Sequence, residues 1–321
     1  MKAMILAAGF GERLLPVTKT LPKPLIPLLN YPVLFWNLNM LANEGISEVV
    51  INTHHLGDKV IETVKKSSFK GMKIHFSAEE KILGTGGGVK KARKFFNDDT
   101  FIVMNSDILL DIDFKKALSF HRDEKAAATM VLRDDPKVNK LGGLYLEGDN
   151  VSGFTSQITL SNKTPLLFTG VHILEPEIFN FISNDESFSI IDGLYYNLLA
   201  GKKEVKGFLE DGYFSDIGTF DDYLKVTFDG LEGWLSERLA ALNPQLINLG
   251  SDTKKVDTTL IDSSAEISDK ASIGARVVIG KNAVIGENVS LEDCVVFPSS
   301  KVPDNFQGFR AIITEDGVIE L

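Results

Sequence analysis

Three stretches of this chain carry residue types able to handle phosphate chemistry. The first, Leu6-Ala7-Ala8-Gly9-Phe10-Gly11-Glu12-Arg13, places small residues where backbone N–H groups can approach an anion closely, and Arg13, Lys19 and Lys23 follow in a segment stiffened by Pro16, Pro22 and Pro24. A forked guanidinium suits several phosphate oxygens at once, whereas a lysine acts as a point charge. The glycines follow neither the G-x-G-x-x-G order of a dinucleotide site nor the Gly-Lys-Ser/Thr ending of a Walker loop. The second stretch, Phe101-Ile-Val-Met-Asn105-Ser106-Asp107, is an apolar run closed by a carboxylate, the place where an open α/β sheet puts its ligand contacts. A magnesium ion takes one or two protein carboxylates and completes its shell with water and phosphate, so one further acid is wanted. Tyr213-Phe-Ser-Asp216-Ile-Gly218-Thr219 offers it.

The string L-A-A-G-F-G-E-R-L-L-P-V-T-K-T-L-P-K-P-L-I-P closely resembles the signature loop of sugar-phosphate nucleotidyltransferases, L-A-x-G-x-G-x-R-x-x-P-x-T-x-x-x-P-K-P. The resemblance extends to the N-[SG]-D strand end and the [FWY]-x-D-x-G-T motif. It implies that Asp107 and Asp216 hold Mg2+, that Arg13 stabilises the departing pyrophosphate, and that Lys23 reaches the reacting phosphates. It makes Leu6, Ala7, Ala8, Gly9 and Gly11 the phosphate-facing backbone. In such enzymes a second glycine-rich loop, here Gly84-Thr85-Gly86, holds the nucleobase, and Glu79 falls where an acceptor would meet a ring N–H of guanine or of uracil. Gly142, Gly143, Thr169 and Gly170 occupy the positions of sugar contacts. The implied substrates are a nucleoside triphosphate and a sugar 1-phosphate, and the products a nucleotide sugar and pyrophosphate.

The match departs from the family at one point. Many relatives carry F-x-E-K-P, whose lysine grips the sugar phosphate, but here Phe154 is followed by Thr155, Ser156 and Gln157, leaving Lys163 as the nearby substitute. The T-G-G-G loop and the F-T-G-V strand are similar to those of bacterial N-acetylmuramate 1-phosphate uridylyltransferases. A repetitive C-terminal tail draws the comparison toward mannose 1-phosphate guanylyltransferases and glucose 1-phosphate enzymes. GTP with mannose 1-phosphate and UTP with an amino-sugar 1-phosphate both stay open. The alternative from another class is a catalytically silent regulatory subunit that binds a nucleotide sugar.

The elements that must position these residues are legible as alternation. Ala3–Leu6, Val49–Asn52, Lys73–Phe76 and Phe101–Met104 read as strands; Leu34–Glu44, Asp58–Lys66 and Val89–Phe96 between them read as helices, a pattern that demands a doubly wound, mostly parallel α/β sheet of Rossmann-like type. From Ala126 the pattern shifts to strands and hairpins, and Phe220–Leu242 has helical spacing ended by Pro244. In the tail an aliphatic residue returns every six positions at Ile267, Ile273, Ile279, Ile285 and Leu291, continuing to Phe297. That is the period of a parallel β-helix, expected to be left-handed, less than two coils long and packed on the catalytic domain or on another subunit. The expected division is a catalytic domain over 1–242, a connector over 243–260, and over 261–321 a short hexapeptide β-helix with a closing hairpin, through which a homo-oligomer is expected to form.

Bulk properties exclude other classes. A formal net charge of -10 disfavours nucleic acid, since phosphate neutralisation needs clustered cations. No apolar run approaches the ~20 residues of a membrane span, and the start reads as a first strand instead of a leader, so a cytoplasmic protein without membrane partners is expected. The single Cys294 rules out an intrachain disulfide. His54, His55 and His172 lack the spacing of a zinc site and are assigned no chemistry.

Overall fold

The computed structural model describes residues 1–69, 71–158, 162–243 and 258–321. Contacts divide the chain into two compact units, Met1–Phe10 with Leu38–Phe214, and Gly11–Asn37 with Ser215–Leu321. This division by contact is not the division by sequence motif, because the second half of the signature loop belongs with the C-terminal residues. The expected connector lies, from 244 to 257, outside the described residues.

The first unit is built on nine strands: β1 Lys2–Leu6, β2 Glu48–Thr53, β3 Lys73–Ala78, β4 Phe101–Asn105, β5 Ala128–Arg133, β6 Leu144–Glu147, β7 Asn150–Phe154, β8 Leu167–Leu174 and β9 Val205–Leu209. They are ordered β3-β2-β1-β4-β8-β5-β9-β7-β6. Pairing is antiparallel on both sides of β8 and of β7 and parallel elsewhere, so seven of the nine strands run one way. The mostly parallel sheet expected from alternation is therefore present. Its central strands read as continuous apolar runs because helices cover both faces.

Helix α1 (Val33–Asn43) and helix α2 (Gly57–Lys65) begin one residue earlier than the spacing predicts. Helix α3 differs more: it spans Gly84–Lys91 and so begins inside the glycine run that reads as a loop. Helix α4 (Phe114–Asp123) is capped by Asp113, whose side chain accepts from the backbone N–H of Lys116. The core between α3 and the sheet holds Met4, Val89, Phe96, Phe101, Val103 and Leu194, with Phe96 stacked on Phe101 at a centroid separation of 3.9 Å.

In the second unit the stretch expected to be one helix over Phe220–Leu242 breaks in two. Helix α5 spans Phe220–Leu231, Gly233 takes a left-handed φ of +80°, and a short helix follows at Glu237–Ala240 with Ser236 as its cap. The tail forms parallel strands Thr259–Ile261, Val277–Ile279, Ser290–Val296 and Gln307–Thr314 stacked in one column, with Glu266–Ile267, Val284–Ile285 and Lys301–Val302 in another. Thr259 pairs with Val277 and Glu266 with Val284, so the first coil consumes three hexads. The next coil is one residue shorter: Ile279 pairs with Val296, which faces the interior, and Phe297 turns outward onto the Tyr223 ring. The expected continuation of the interior phase to Phe297 is thus off by one residue, and four stacked strands make the solenoid longer than two coils. The final strand folds back as Gly317–Glu320.

The solenoid packs on its own unit, as a structure too short to bury its surface alone must. Asn30 donates to the Ile279 carbonyl at 2.8 Å, Arg310 to Asp221 at 2.9 Å, and Thr20 to Asp316 at 2.9 Å. No helix among the described residues is long and apolar enough to cross a membrane.

One buried pair gives the first unit a pH signature. His172 on β8 is hydrogen-bonded through Nδ1 to the Tyr195 hydroxyl at 2.6 Å, and burial lowers its pKa to about 3. A histidine that charges near 6.5 when unfolded and near 3 when folded binds more protons in the unfolded state across that window, so stability falls as pH drops through it, by about 1.4 kcal/mol per pH unit. Urea unfolding at pH 7, 6, 5 and 4 should record that slope. His172→Asn, which keeps a polar group at the Nδ1 position, should lose this share of it; an unchanged slope in the variant counts against the assignment.

Candidate active site

Four parallel strands of the first unit end on one line. Leu6 pairs with both Asn52 and Asn105, and Asn52 pairs with Ser77. The segments that follow, Ala7–Gly9, Thr53–His55, Ala78–Glu80 and Ser106–Asp107, therefore leave the sheet at its carboxyl edge, where α/β sheets bind ligands. Asp107 is half-buried there. Because β8 runs the other way and Val171 pairs with Met104, Thr169 and Gly170 reach the same edge. Gly170 has φ +89°, and a Cβ on it would stand 2.5 Å from Asn105 Nδ2, so glycine is required twice over. Thr169 is buried and its hydroxyl donates to the Val131 carbonyl at 2.9 Å. Gly170 is buried beside it.

Helix α3 places four glycines in its first turns, each costing about 1 kcal/mol relative to alanine. Packing accounts for them. A Cβ at Gly86 would meet the Phe188 ring at 2.2 Å, one at Gly84 the Phe188 carbonyl oxygen at 2.6 Å, and one at Gly87 the Glu186 carbonyl oxygen at 2.6 Å. Gly193, within a π-helical turn at Ile191–Tyr195, is pressed against the same edge atoms of the Phe188 ring. Thr85 accepts from the Ile190 N–H at 2.8 Å, fixing the same segment to the helix start. Glu79 is buried; its carboxylate accepts from Asn52 Nδ2 at 2.7 Å and from the Leu83 N–H at 3.0 Å. The segment that the resemblance assigns to the nucleobase is therefore held by Phe188, Glu186, Ile190 and Glu79, and Thr85 in its first turn is exposed.

On the sugar side, Gly142 has φ +80°, and Gly143 is pressed so closely on the Leu166 carbonyl that a Cβ would stand 2.4 Å away. Thr155 latches this pair: it accepts from the Gly143 N–H at 2.8 Å, and its own N–H donates to the Gly143 carbonyl at 2.9 Å. The residue at the variable position just ahead of the missing E-K-P thus orders the glycine pair. Lys163 donates to the Leu146 carbonyl at 3.0 Å.

The cations of the signature loop and the second motif acid belong to the second unit. Gly11 adopts φ +69° and packs against Thr18 and the Lys23 Cβ, folding the signature loop back on itself; Thr18 donates to the Gly11 carbonyl at 3.0 Å. At Gly218 a Cβ would stand 2.7 Å from Asp216 Oδ2 and 2.8 Å from an Arg13 guanidinium nitrogen. The loop arginine and the motif aspartate, remote in sequence, are neighbours over one Cα. Thr219, the last residue of that motif, caps α5 by accepting from the Asp222 N–H, a contact worth about 1 kcal/mol. Tyr223 on α5 donates to the Pro27 carbonyl at 2.6 Å and Asn243 to the Leu29 carbonyl at 3.0 Å, which fixes the end of the signature segment.

Several residues of this arrangement escape the motif reading. Asn52 ends an apolar strand with a polar side chain just as Asp107 follows one, and that signal was available. Phe188 sits in a segment with no motif and Thr155 at a position the motif leaves variable, so only the fold reveals what they hold.

Residues 2–232 match the family described as Nucleotidyl transferase. The chain belongs to this family. Residues 255–320 match the family described as GMPPB C-terminal domain. The chain is 34% identical over 279 residues to a mannose-1-phosphate guanyltransferase of Yarrowia lipolytica, covering 84% of this chain and 73% of that relative. It is 32% identical over 254 residues to a UTP–glucose-1-phosphate uridylyltransferase of Synechocystis sp., covering 74% of this chain and 64% of the relative, so it spans less than two thirds of that protein's length. Among solved structures, HddC from Yersinia pseudotuberculosis complexed with GMP-PN superposes with a TM-score of 0.60 at 27% identity, over 70% of this chain and 97% of that one. Members of the family generally use a divalent metal. The oxygen donors of Asp107 and Asp216 are the hard kind that suits such an ion.

The crowding at Gly218 yields a test. A methyl there displaces only the ends of two flexible side chains, so Gly218→Ala should leave the melting temperature within about 2 °C of wild type. Pyrophosphate release should nevertheless fall about a hundredfold in kcat/KM, the scale of a 1 Å misplacement of a catalytic group. Wild-type turnover in this variant would mean that the placement of Arg13 and Asp216 is not used.

Proposed function

We propose that this chain is a sugar-1-phosphate nucleotidyltransferase whose phosphate chemistry is carried by Arg13, Lys23, Asp107 and Asp216. The single observation that supports the reading most is the meeting of Arg13 with Asp216 over Gly218. An oxygen of the sugar 1-phosphate forms a bond to the α-phosphorus. The bond from that phosphorus to the bridging oxygen breaks, and its electron pair leaves with pyrophosphate. Arg13 neutralises charge on the departing group and Lys23 the phosphates nearer the reacting centre, so acceleration comes from positioning and electrostatics and needs no protein nucleophile. Asp107 and Asp216 are the proposed ligands of the divalent ion, taken to be Mg2+, which when bound offsets charge on the phosphate oxygens.

The base is proposed to lie against the start of α3 at Gly84, Thr85 and Gly86, and the sugar against Gly142, Gly143 and Gly170. The relatives' names cover guanylyl and uridylyl transfer, so the candidate pairs are GTP with mannose 1-phosphate and UTP with glucose or amino-sugar 1-phosphates. The regulatory-subunit alternative draws no support from these relatives, which carry enzyme names. Exposed Phe309, on the strand that ends the solenoid stack, supports association into a homo-oligomer through the β-helix. A cytoplasmic setting accords with the lone, buried Cys294.

The test is pyrophosphate release over a panel of nucleoside triphosphates and sugar 1-phosphates, with and without a chelator. One pair should dominate, activity should vanish on metal removal and return with Mg2+, and Arg13→Ala should lower kcat by about 10²–10³, the cost of removing one charge-stabilising donor. Wild-type kcat in Arg13→Ala removes its role; no turnover with any pair overturns the enzyme assignment.

A further inference from the structure

Asn52 and Glu79 are among the few buried polar side chains of the first unit, at 2% and 5% exposure. Together they form one chain of hydrogen bonds between the two glycine-rich segments. The Ala7 N–H donates to Asn52 Oδ1 at 2.8 Å, Asn52 Nδ2 donates to Glu79 Oε1 at 2.7 Å, and the Leu83 N–H donates to Glu79 Oε2 at 3.0 Å. Glu79 is itself anchored, since its N–H donates to the Thr53 carbonyl at 2.8 Å and its carbonyl oxygen is 2.8 Å from His54 Nδ1. Gly88 closes the space: a Cβ there would stand 2.8 Å from Asn52 Nδ2 and 3.0 Å from Glu79 Oε1. Every bond in this chain has a fixed direction. Backbone N–H groups at both ends can only donate, so Asn52 must turn its oxygen to Ala7 and its NH2 to the carboxylate, and Glu79 must accept with both oxygens.

We propose that Asn52 and Glu79 are positioning residues that brace the phosphate segment Leu6–Gly9 against the base segment Leu83–Gly86, and that Glu79 affects the nucleotide through this brace and not by accepting from the base. The proposal rests on the nucleotide-binding reading of the two segments. Ala7 and Leu83 each adjoin a segment assigned to one end of the same nucleotide, and the brace is the path between them inside one compact unit. Buried networks of this kind are valuable only when fully satisfied, because an unpaired donor inside protein carries its whole desolvation cost.

The fixed directions supply a test that a direct contact would not pass. In Glu79→Gln the new NH2 faces either the Asn52 NH2 or the Leu83 N–H, and turning Asn52 over only moves the donor–donor clash to Ala7. In Asn52→Asp two carboxylates face each other where an amide and a carboxylate were 2.7 Å apart. Combining the changes restores the whole chain: the new carboxylate at position 52 accepts from the Ala7 N–H, the new amide at position 79 donates its NH2 to that carboxylate, and the oxygen of the same amide accepts from the Leu83 N–H. The central bond reverses its direction and the net charge is that of wild type.

Steady-state kinetics with the preferred pair should give an about tenfold higher nucleotide KM for each single variant, with the sugar-phosphate KM within about twofold of wild type. Asn52→Asp/Glu79→Gln should return the nucleotide KM to within about threefold of wild type. The preference order among triphosphates should be the same in all four proteins. Asn52→Asp alone should improve as pH falls from 8 to 6, because a proton shared between the two acids restores a donor. If the double variant is as impaired as Glu79→Gln, or Glu79→Gln reorders the triphosphates, the carboxylate reads the base directly and the brace is overturned. Should Asn52→Asp fail to fold, Glu79→Gln against the double variant still decides. If the wild type turns over no pair, the function fails instead, and calorimetric binding of GTP and UTP to the same proteins still reads the brace.

Discussion

A triphosphate brings concentrated negative charge to a chain that already carries a formal net charge of -10, and the arrangement of its candidate site follows from offsetting that charge locally. Backbone N–H groups can do so only where no side chain keeps the phosphate at a distance, which is why glycine and alanine fill the first half of the signature loop. Guanidinium and ammonium groups can do so only if the loop that bears them is wound tightly, and the left-handed Gly11 with Thr18 and Lys23 packed against it provides that winding. The acids have the opposite difficulty. Asp107 and Asp216 add negative charge, so their proposed use presupposes a cation, and over Gly218 the Arg13 guanidinium already sets one positive group beside Asp216.

The chemistry-bearing stretches and the architecture around them were legible because each is local. A strand that ends in Asp107, a loop with three cations and a six-residue period are properties of neighbouring residues. The alternation of apolar runs and helical patterns fixed the sheet for the same reason. What the sequence hid is contact across long separations. The glycines of α3 read as a ligand loop, yet a residue about a hundred positions on, Phe188, accounts for two of them and Glu186 for a third. A chain cannot announce from Gly86 that a ring will lie in van der Waals contact with its Cα.

Glu79 shows how a motif position and the contacts made there can point to different roles. Its position before the glycine run marks it as a nucleotide residue, and it does sit beside that run. Burial and direction then say more than position does: both oxygens accept from groups of the protein, one of them the side chain of Asn52 at the end of the next strand. Thr169 and Thr155 make the same point on the sugar side, where one hydroxyl is turned inward to Val131 and the other orders Gly142 and Gly143. In each case a polar side chain near the candidate site is spent on fixing the protein's own backbone.

The solenoid shows why a repeat period predicts architecture better than register. Three hexads per coil give the first coil, because one aliphatic residue per face is enough to fill a narrow interior. Dropping one residue in the next coil costs little in that interior, since Val296 takes the column of Ile279 as well as an isoleucine would. It changes the outside instead. Phe297 is released from the interior and meets Tyr223, whose hydroxyl holds the Pro27 carbonyl, while Asn30 reaches the Ile279 carbonyl from the same segment. The irregularity that blurs the repeat is thus the feature that lets the tail grip the residues following Lys23, so the β-helix is part of the support of the signature loop and not an appendage to it.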